Sequence, residues 1–248
     1  MKIVLIVIVR YNSKRLPGKA LINVKGKPLL WYIINKALKI KGIDDIVIAT
    51  SSKKDDDKIV SFARKENINF FRGDLNNVAL RVLNCAIEYQ ADYFIRLNGD
   101  SPYFDYKLIK DNIKYCYDNY DLITNLLNRT FPYGISVEII KTNTFMNIYE
   151  NLSVEEKEHI TKYFYKNRAK FAIKSIYLSN KNLSGYRLVV DTPADLLLFR
   201  KIINKTKNNF VNVKYKKLID LTKKWREVLL CIIYFIYDLK DLILEMKL

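Results

Sequence analysis

The chain has 248 residues, half of them hydrophobic, with 43 Lys/Arg against 26 Asp/Glu and a formal net charge of +17. That size and apolar content suit one large α/β domain, or a domain with an appendage. The cations are spread along the whole chain, which argues against specific nucleic-acid binding. No apolar run approaches the roughly 20 residues of a membrane-spanning helix.

The first predicted element is a strand over 2–9, Lys-Ile-Val-Leu-Ile-Val-Ile-Val, too apolar to have a wet face. It is eight residues long, without a small-residue cleavage site, so it reads as a strand rather than a leader, and a cytoplasmic protein is expected. The strand stops at Arg10-Tyr-Asn-Ser13-Lys14-Arg15-Leu-Pro-Gly-Lys19, which sets four cations among turn residues. Ligands of open α/β sheets bind beyond the carboxyl ends of the strands, so this loop points to a polyanion, with a nucleoside triphosphate the leading candidate. Neither a P-loop nor a dinucleotide glycine pattern is present, so any grip on phosphate comes from side chains and an irregular loop.

A short strand and turn (21–28) precedes a helix over 29–40, with Leu30, Ile33, Ile34, Ala37 and Leu38 as its apolar stripe. A buried strand follows at 45–50, then a solvated charge run containing Asp56 and Asp57, a helix at 56–66 and a strand at 69–71. A helix over 77–90 leads to a strand at 92–97 that ends in Asn98-Gly-Asp100-Ser-Pro102. This β-α-β-α-β-α-β order predicts a mainly parallel sheet covered by helices.

The second half predicts a helix at 106–118, strands at 121–125 and 135–140, helices at 142–151 and 153–166, and strands at 170–177 and 186–190. Asp191-Thr-Pro-Ala-Asp195 then opens a helix to about 204, with proline in its first turn. Residues 1–204 read as the domain, and Lys205–Asn209 as a hinge. Residues 205–248 form an amphipathic helical tail, packed on the domain or on another subunit, or resting on a membrane surface. Its apolar run Val228–Tyr237 would favour a homodimer if exposed. Three widely spaced cysteines (Cys85, Cys116, Cys231) read as reduced core thiols.

Asp100 and Asp191 each follow a predicted buried strand, so their carboxylates are expected at one sheet edge. Two such groups can hold Mg²⁺, which takes oxygen ligands and keeps water and phosphate in its other positions. For Asp191, capping of the following helix is the competing use. The sole histidine, His159, cannot build a histidine-rich metal site.

Together these blocks resemble the bacterial and archaeal cytidylyltransferases, nearest to the spore-coat-polysaccharide (SpsF-like) group and more distantly to the 3-deoxy-manno-octulosonate and acylneuraminate enzymes. The resemblance runs from Arg10-x-x-Ser13-x-Arg15-Leu-Pro-Gly-Lys19 through Arg96-Leu-Asn-Gly-Asp-Ser-Pro102 to Val190-Asp-Thr-Pro-x-Asp-Leu196, covering about 1–204. It implies a GT-A/Rossmann-like nucleotidyltransferase fold with a C-terminal helical extension. The implied activity is Mg²⁺-dependent transfer of CMP from CTP to an acidic sugar or related acceptor, with pyrophosphate released, for cell-surface polysaccharide. By position, Arg10, Ser13, Arg15 and Lys19 would hold the triphosphate, Asp100 and Asp191 the metal, and Ala49, Thr50 and Ser51 the base and ribose. Arg10, Lys19 and Asp100 would be the catalytic set. Arg129, Glu138, His159 and Thr161 would face the acceptor. The chain departs from the pattern at Ile8, Val9, Tyr133 and Ser136, where the family carries other residues. Another base, or a nucleotide-binding scaffold without turnover, therefore stays open.

Overall fold

Strand β1 (Ile3–Ile8) alternates its side chains between two cores, and this places everything else. The computed structural model describes residues 1–13 and 15–223. Ile3, Leu5 and Val7 enter one core, against Leu30, Ile33 and Ala37 of α1 (Leu29–Ala37) and Ile59, Phe62 and Ala63 of α2 (Asp57–Lys65). Val4 and Ile6 enter the other, against Ala79, Val82 and Ala86 of α3 (Val78–Glu88). A strand covered on both faces is the physical reason for its continuous apolar sequence.

Between β1 and α1 lies a small hairpin, β2 (Asn23–Val24) and β3 (Lys27–Pro28). β1 pairs in parallel with β4 (Asp45–Ser51) and with β6 (Tyr93–Asn98), and β4 in parallel with β5 (Asn69–Gly73). The antiparallel part follows α4 (Tyr106–Asn112): β7 (Leu122–Thr124) and β8 (Glu138–Lys141), with β8 antiparallel to β6 and to β7. After α5 (Thr142–Ile148), α6 (Val154–Glu158) and α7 (Lys162–Lys166), strand β9 (Ile173–Ser175) pairs in parallel with β7. The seven strands run in the order β5-β4-β1-β6-β8-β7-β9, and α8 (Pro193–Thr206) follows. This is the mainly parallel, mixed and helix-covered sheet that the sequence predicts.

Several expectations change in detail. The strand expected at 135–140 begins only at Glu138, because the Asn125 side chain takes the bonds a partner strand would make. Its Nδ2 donates to Ile135 O (2.8 Å) and its Oδ1 accepts from Val137 N (2.8 Å). The strand expected at 186–190 is a single bridge, Tyr133 to Arg187. There Gly134, at φ 95°, lets the two segments touch; a Cβ at this position would lie 1.7 Å from Leu188 O. The helix expected at 153–166 breaks after Glu158, which turns Ile160 into the second core and leaves His159 exposed. In α1 the apolar stripe shifts. Leu38 lies beyond the helix end and is exposed, while Lys36 is buried, its Nζ 4.9 Å from the Phe210 ring centre and 5.6 Å from that of Phe104. Burial pushes the Lys36 ammonium down to about 8 despite the Asp105 charge.

The segment expected to be a hinge is regular helical structure. α8 runs to Thr206, a 3₁₀ turn covers Lys207–Asn212, and helix resumes at 215–223. Phe210, Leu218 and Ile219 are buried in a third cluster with Leu29, Tyr32, Tyr103 and Phe199. The remainder of the expected tail, 224–248, lies outside the described residues, as does Lys14. Cys85 and Cys116 are free, buried thiols, each pushed up to about 12 chiefly by burial. No helix among the described residues is long and apolar enough to cross a membrane.

Candidate active site

A cleft of about 530 Å³ opens beyond the carboxyl ends of β1 and β6. Arg10, Ser13, Arg15 and Lys19 line it from the loop after β1, and Asn98, Gly99 and Asp100 from the end of β6. Asp191 closes it before α8, and Glu158 and His159 come from the break between α6 and α7.

The loop after β1 is pinned at both ends. Tyr11 N donates to Asp56 Oδ1 (2.6 Å), and Gly18 N donates back to Tyr11 O (3.1 Å). Gly18 takes φ 67°, a left-handed geometry that costs glycine little, and starts the 3₁₀ turn that carries Lys19. Asp56 is the correction here, since it is not solvated. It is 2 % exposed and also accepts from Ser51 N (2.9 Å) and Ser51 Oγ, joining the ends of β1 and β4. The available signal was its place just ahead of an amphipathic helix, on the core side, where a lone charge needs partners.

Asp100 is held by close backbone approach. Gly99 N donates to Ile8 O (2.9 Å), and a Cβ on Gly99 would lie 2.7 Å from Val9 Cβ. Val190 N donates to Asp100 O (2.9 Å), which brings Asp191 alongside. Asp191 does not cap α8. Thr192 Oγ1 accepts from Asp195 N (3.2 Å), and Asp195 Oδ2 accepts from the backbone N of Thr192 and of Asp191 (3.0 Å each). This reciprocal box satisfies the helix start and leaves the Asp191 carboxylate to the cleft.

The two carboxylates converge on one ammonium. Lys19 Nζ lies 2.9 Å from Asp100 Oδ2 and 2.9 Å from Asp191 Oδ1. Arg15 also pairs with Asp191 Oδ2, and Arg187 Nη2 lies 3.5 Å from that oxygen. Burial works to raise the Asp191 carboxyl, but the Lys19 hydrogen bond and the Lys19, Arg15 and Arg187 charges together hold it below the usual range. Oxygen donors from two elements that meet on one cation have the chemistry of a Mg²⁺ site. Among the described residues no group of three or more His, Cys, Asp or Glu is placed to hold a metal; Mg²⁺ in general keeps several waters and phosphate oxygens beside one or two carboxylates.

Not every residue singled out from sequence reaches the cleft. Ala49, Thr50 and Ser51 are fully buried behind it, at the end of β4. Of the four residues implied for the acceptor, His159 lines the cleft. Glu138 is 2 % exposed and occupied, accepting from Arg96 Nη1 (2.6 Å) and Tyr165 Oη (2.9 Å). Thr161 is buried, and Arg129 stacks on the Tyr133 ring at 5.2 Å. Three charged cleft residues were missed: Arg81, Arg96 and Glu158. Arg81 is 2 % exposed, its Nη1 donating to Asp74 O (2.6 Å), and Arg96 stands on Glu138. A cation inside the apolar stripe Val78, Val82, Cys85 was the legible sign for Arg81.

A cation-rich cleft at the carboxyl edge of a mainly parallel sheet, with two acids at its floor, defines an α/β protein of the nucleotidyltransferase fold. A solved cytidylyltransferase from Leptospira borgpetersenii superposes with a TM-score of 0.85 at 28% identity, over 92% of this chain and 96% of that one. The family model described as cytidylyltransferase matches residues 4–228, and the chain belongs to that family. It is 29% identical over 210 residues to the spore coat polysaccharide biosynthesis protein SpsF of Bacillus subtilis, covering 82% of this chain and 87% of that protein. It is also 31% identical over 101 residues to the 3-deoxy-manno-octulosonate cytidylyltransferase of Escherichia coli, covering 41% of this chain and 40% of that enzyme.

Proposed function

We propose that the protein is a Mg²⁺-dependent cytidylyltransferase that transfers CMP from CTP to an acidic sugar or related small acceptor, releasing pyrophosphate, in the making of a cell-surface polysaccharide. The observation that carries this reading is the meeting of Asp100 and Asp191 at Lys19, on the floor of a cleft walled by Arg10, Ser13 and Arg15. The family match supplies the nucleotide, and the octulosonate and spore-coat relatives supply the acceptor class.

The chemistry needs no covalent nucleophile. An acceptor oxygen attacks the α-phosphorus of CTP, a new phosphorus–oxygen bond forms, and the bond to the departing pyrophosphate breaks on the opposite side. Arg10, Arg15 and Lys19 neutralise the triphosphate and hold the pyrophosphate as charge builds on it. Asp100 and Asp191 would hold Mg²⁺, which when bound draws charge from the phosphate oxygens. His159 and Glu158, which also line the cleft, orient the acceptor; holding both reactants in one cleft makes the step effectively unimolecular.

Ile8 and Val9 line the cleft as well, and they put apolar groups where the family's pattern has other residues. This favours weak base selection as the second reading. The test is thermal stabilisation by CTP, UTP, GTP and ATP, each with Mg²⁺ and with EDTA, followed by pyrophosphate release with a panel of keto-sugar acids and sugar phosphates. A Mg²⁺-dependent shift largest for CTP, with pyrophosphate released only when acceptor is present, is the expected result. Equal shifts for four nucleotides would move the assignment to a nucleotidyltransferase of another or broader base choice. Binding without turnover on any acceptor would make the chain a scaffold, and no shift at all would sink the nucleotide reading.

A further inference from the structure

The acids at the floor of the cleft already have a cation. Lys19 Nζ sits between Asp100 Oδ2 and Asp191 Oδ1, 2.9 Å from each, and its side chain is only 13% exposed. The second oxygen of Asp191 is taken by Arg15 and approached by Arg187. The ammonium therefore stands at a point from which both carboxylates are reached together, while the other Asp100 oxygen accepts from Ser101 Oγ (3.1 Å). Two cations cannot share that point, because each would remove the other's ligands and repel it across a few ångströms. The backbone around Lys19 is fixed by the Gly18 and Tyr11 bonds, so the exchange must be made by the side chain alone. A lysine suits this, being a point charge on a flexible four-carbon stem with rotatable donors.

We propose that Lys19 is an internal counter-cation that keeps free divalent metal off the Asp100–Asp191 pair until a nucleoside triphosphate draws its ammonium away. The inference rests on the metal and triphosphate reading given above, and adds an order to it. In the ligand-free chain the lysine charge holds two acids together that would otherwise repel. When a triphosphate enters beside Arg10 and Ser13, its oxygens offer Lys19 a denser negative charge than either carboxylate. The ammonium turns to the phosphates, and the pair opens to the metal that arrives with them. Metal and nucleotide then bind with positive coupling, each raising the affinity for the other by the same factor.

The test is titration of Mn²⁺ alone, followed by its electron paramagnetic resonance signal, on the full chain, Lys19→Met, Arg15→Met and the double variant Lys19→Met/Asp100→Asn. The wild type should bind Mn²⁺ weakly without nucleotide. Lys19→Met, which keeps the length and removes the charge, should bind it at least tenfold more tightly, and the double variant should lose that gain. Arg15→Met should show a smaller gain, since of the two acids its exposed side chain pairs with Asp191; if Lys19→Met fails to fold, this variant decides the question, and no gain overturns the proposal. A folded Lys19→Met that binds Mn²⁺ no better than the wild type overturns it, as does a gain that survives Asp100→Asn. Failure here is separable from failure of the functional reading. CTP can still stabilise the wild type with Mg²⁺ when the lysine has no gating role, and that shift is measured on the unmutated chain.

Discussion

Replacing Asp56 by alanine should reveal how far the loop after β1 depends on one buried carboxylate. Asp56 accepts from Tyr11 N at 2.6 Å, from Ser51 N at 2.9 Å and from Ser51 Oγ. Hydrogen bonds to charged acceptors contribute about 1.5–3 kcal/mol each, and buried donors left without partners cost about 1–3 kcal/mol apiece. Ser51 Oγ can turn to another acceptor, so two backbone donors set the loss, at about 3 kcal/mol. For a chain of this size, each kcal/mol moves the thermal midpoint by about 2–4 °C, giving a fall of roughly 6–12 °C. Tyr11 also anchors Gly18, so the loop that carries Arg10, Ser13 and Lys19 should loosen with it, and CTP affinity should fall about tenfold. Differential scanning calorimetry and a CTP titration measure the two effects. A midpoint within 2 °C of the wild type would refute the reasoning, and a stability loss with unchanged CTP affinity would refute its second half.

Gly134→Ala should be among the most damaging single-methyl changes, costing at least about 3 kcal/mol, because φ is 95° and the new carbon would overlap Leu188 O. Urea unfolding measures it, and a cost below about 1 kcal/mol would show that the two segments can part freely. Glu138→Gln should destabilise by about 2–4 kcal/mol by stranding Arg96, whereas Arg96→Met/Glu138→Leu should recover much of the loss; a double-mutant cycle without that recovery counts against a buried pair. Asp191 is held below the usual carboxylate range, so its stabilising contribution is complete above its unfolded value near ~3.9 and is lost as pH falls through the lower folded one. The stability gap between wild type and Asp191→Asn should therefore be constant from pH 7 to about 5 and narrow below 4. A gap that closes instead between pH 7 and 5 would contradict that sign.

The parallel half of the sheet was legible because its signals are local. A short apolar run ending in cations, and helical stripes between β-branched runs, fix strand, helix and cleft edge with no long-range information. Asp100 was found the same way, from a glycine beside a strand end. The misses share a different cause. Asn125 replaces backbone bonds of a residue ten positions away, and the Gly134 turn only acquires meaning against Leu188. The Asp191 capping question was undecidable by composition, since Asp191, Thr192 and Asp195 all carry capping oxygens; the hydrogen bonds assign Thr192 and Asp195 to the helix. Asp56 and Asp57 look identical in sequence, and only the closing of the β1 and β4 ends buries one of them. Glu138 and Thr161 belong to a matching motif but lie under the cleft wall, so a motif can mark the support of a site as well as its lining.

Lys19 meets one partner 81 positions later and another 172 positions later. During synthesis, the strands from β1 to β6 can pair as soon as they emerge, but the floor of the cleft is absent until the segment before α8 has docked. A nascent or truncated chain can therefore hold a nearly complete sheet and bind nothing in the intended way. Once the chain is whole, a ligand gripped from both ends of the sequence ties early and late parts into one cooperative unit. Opening of the last third alone would then carry the full cost of releasing the nucleotide, and bound CTP should slow hydrogen exchange in α8 as strongly as in the loop after β1.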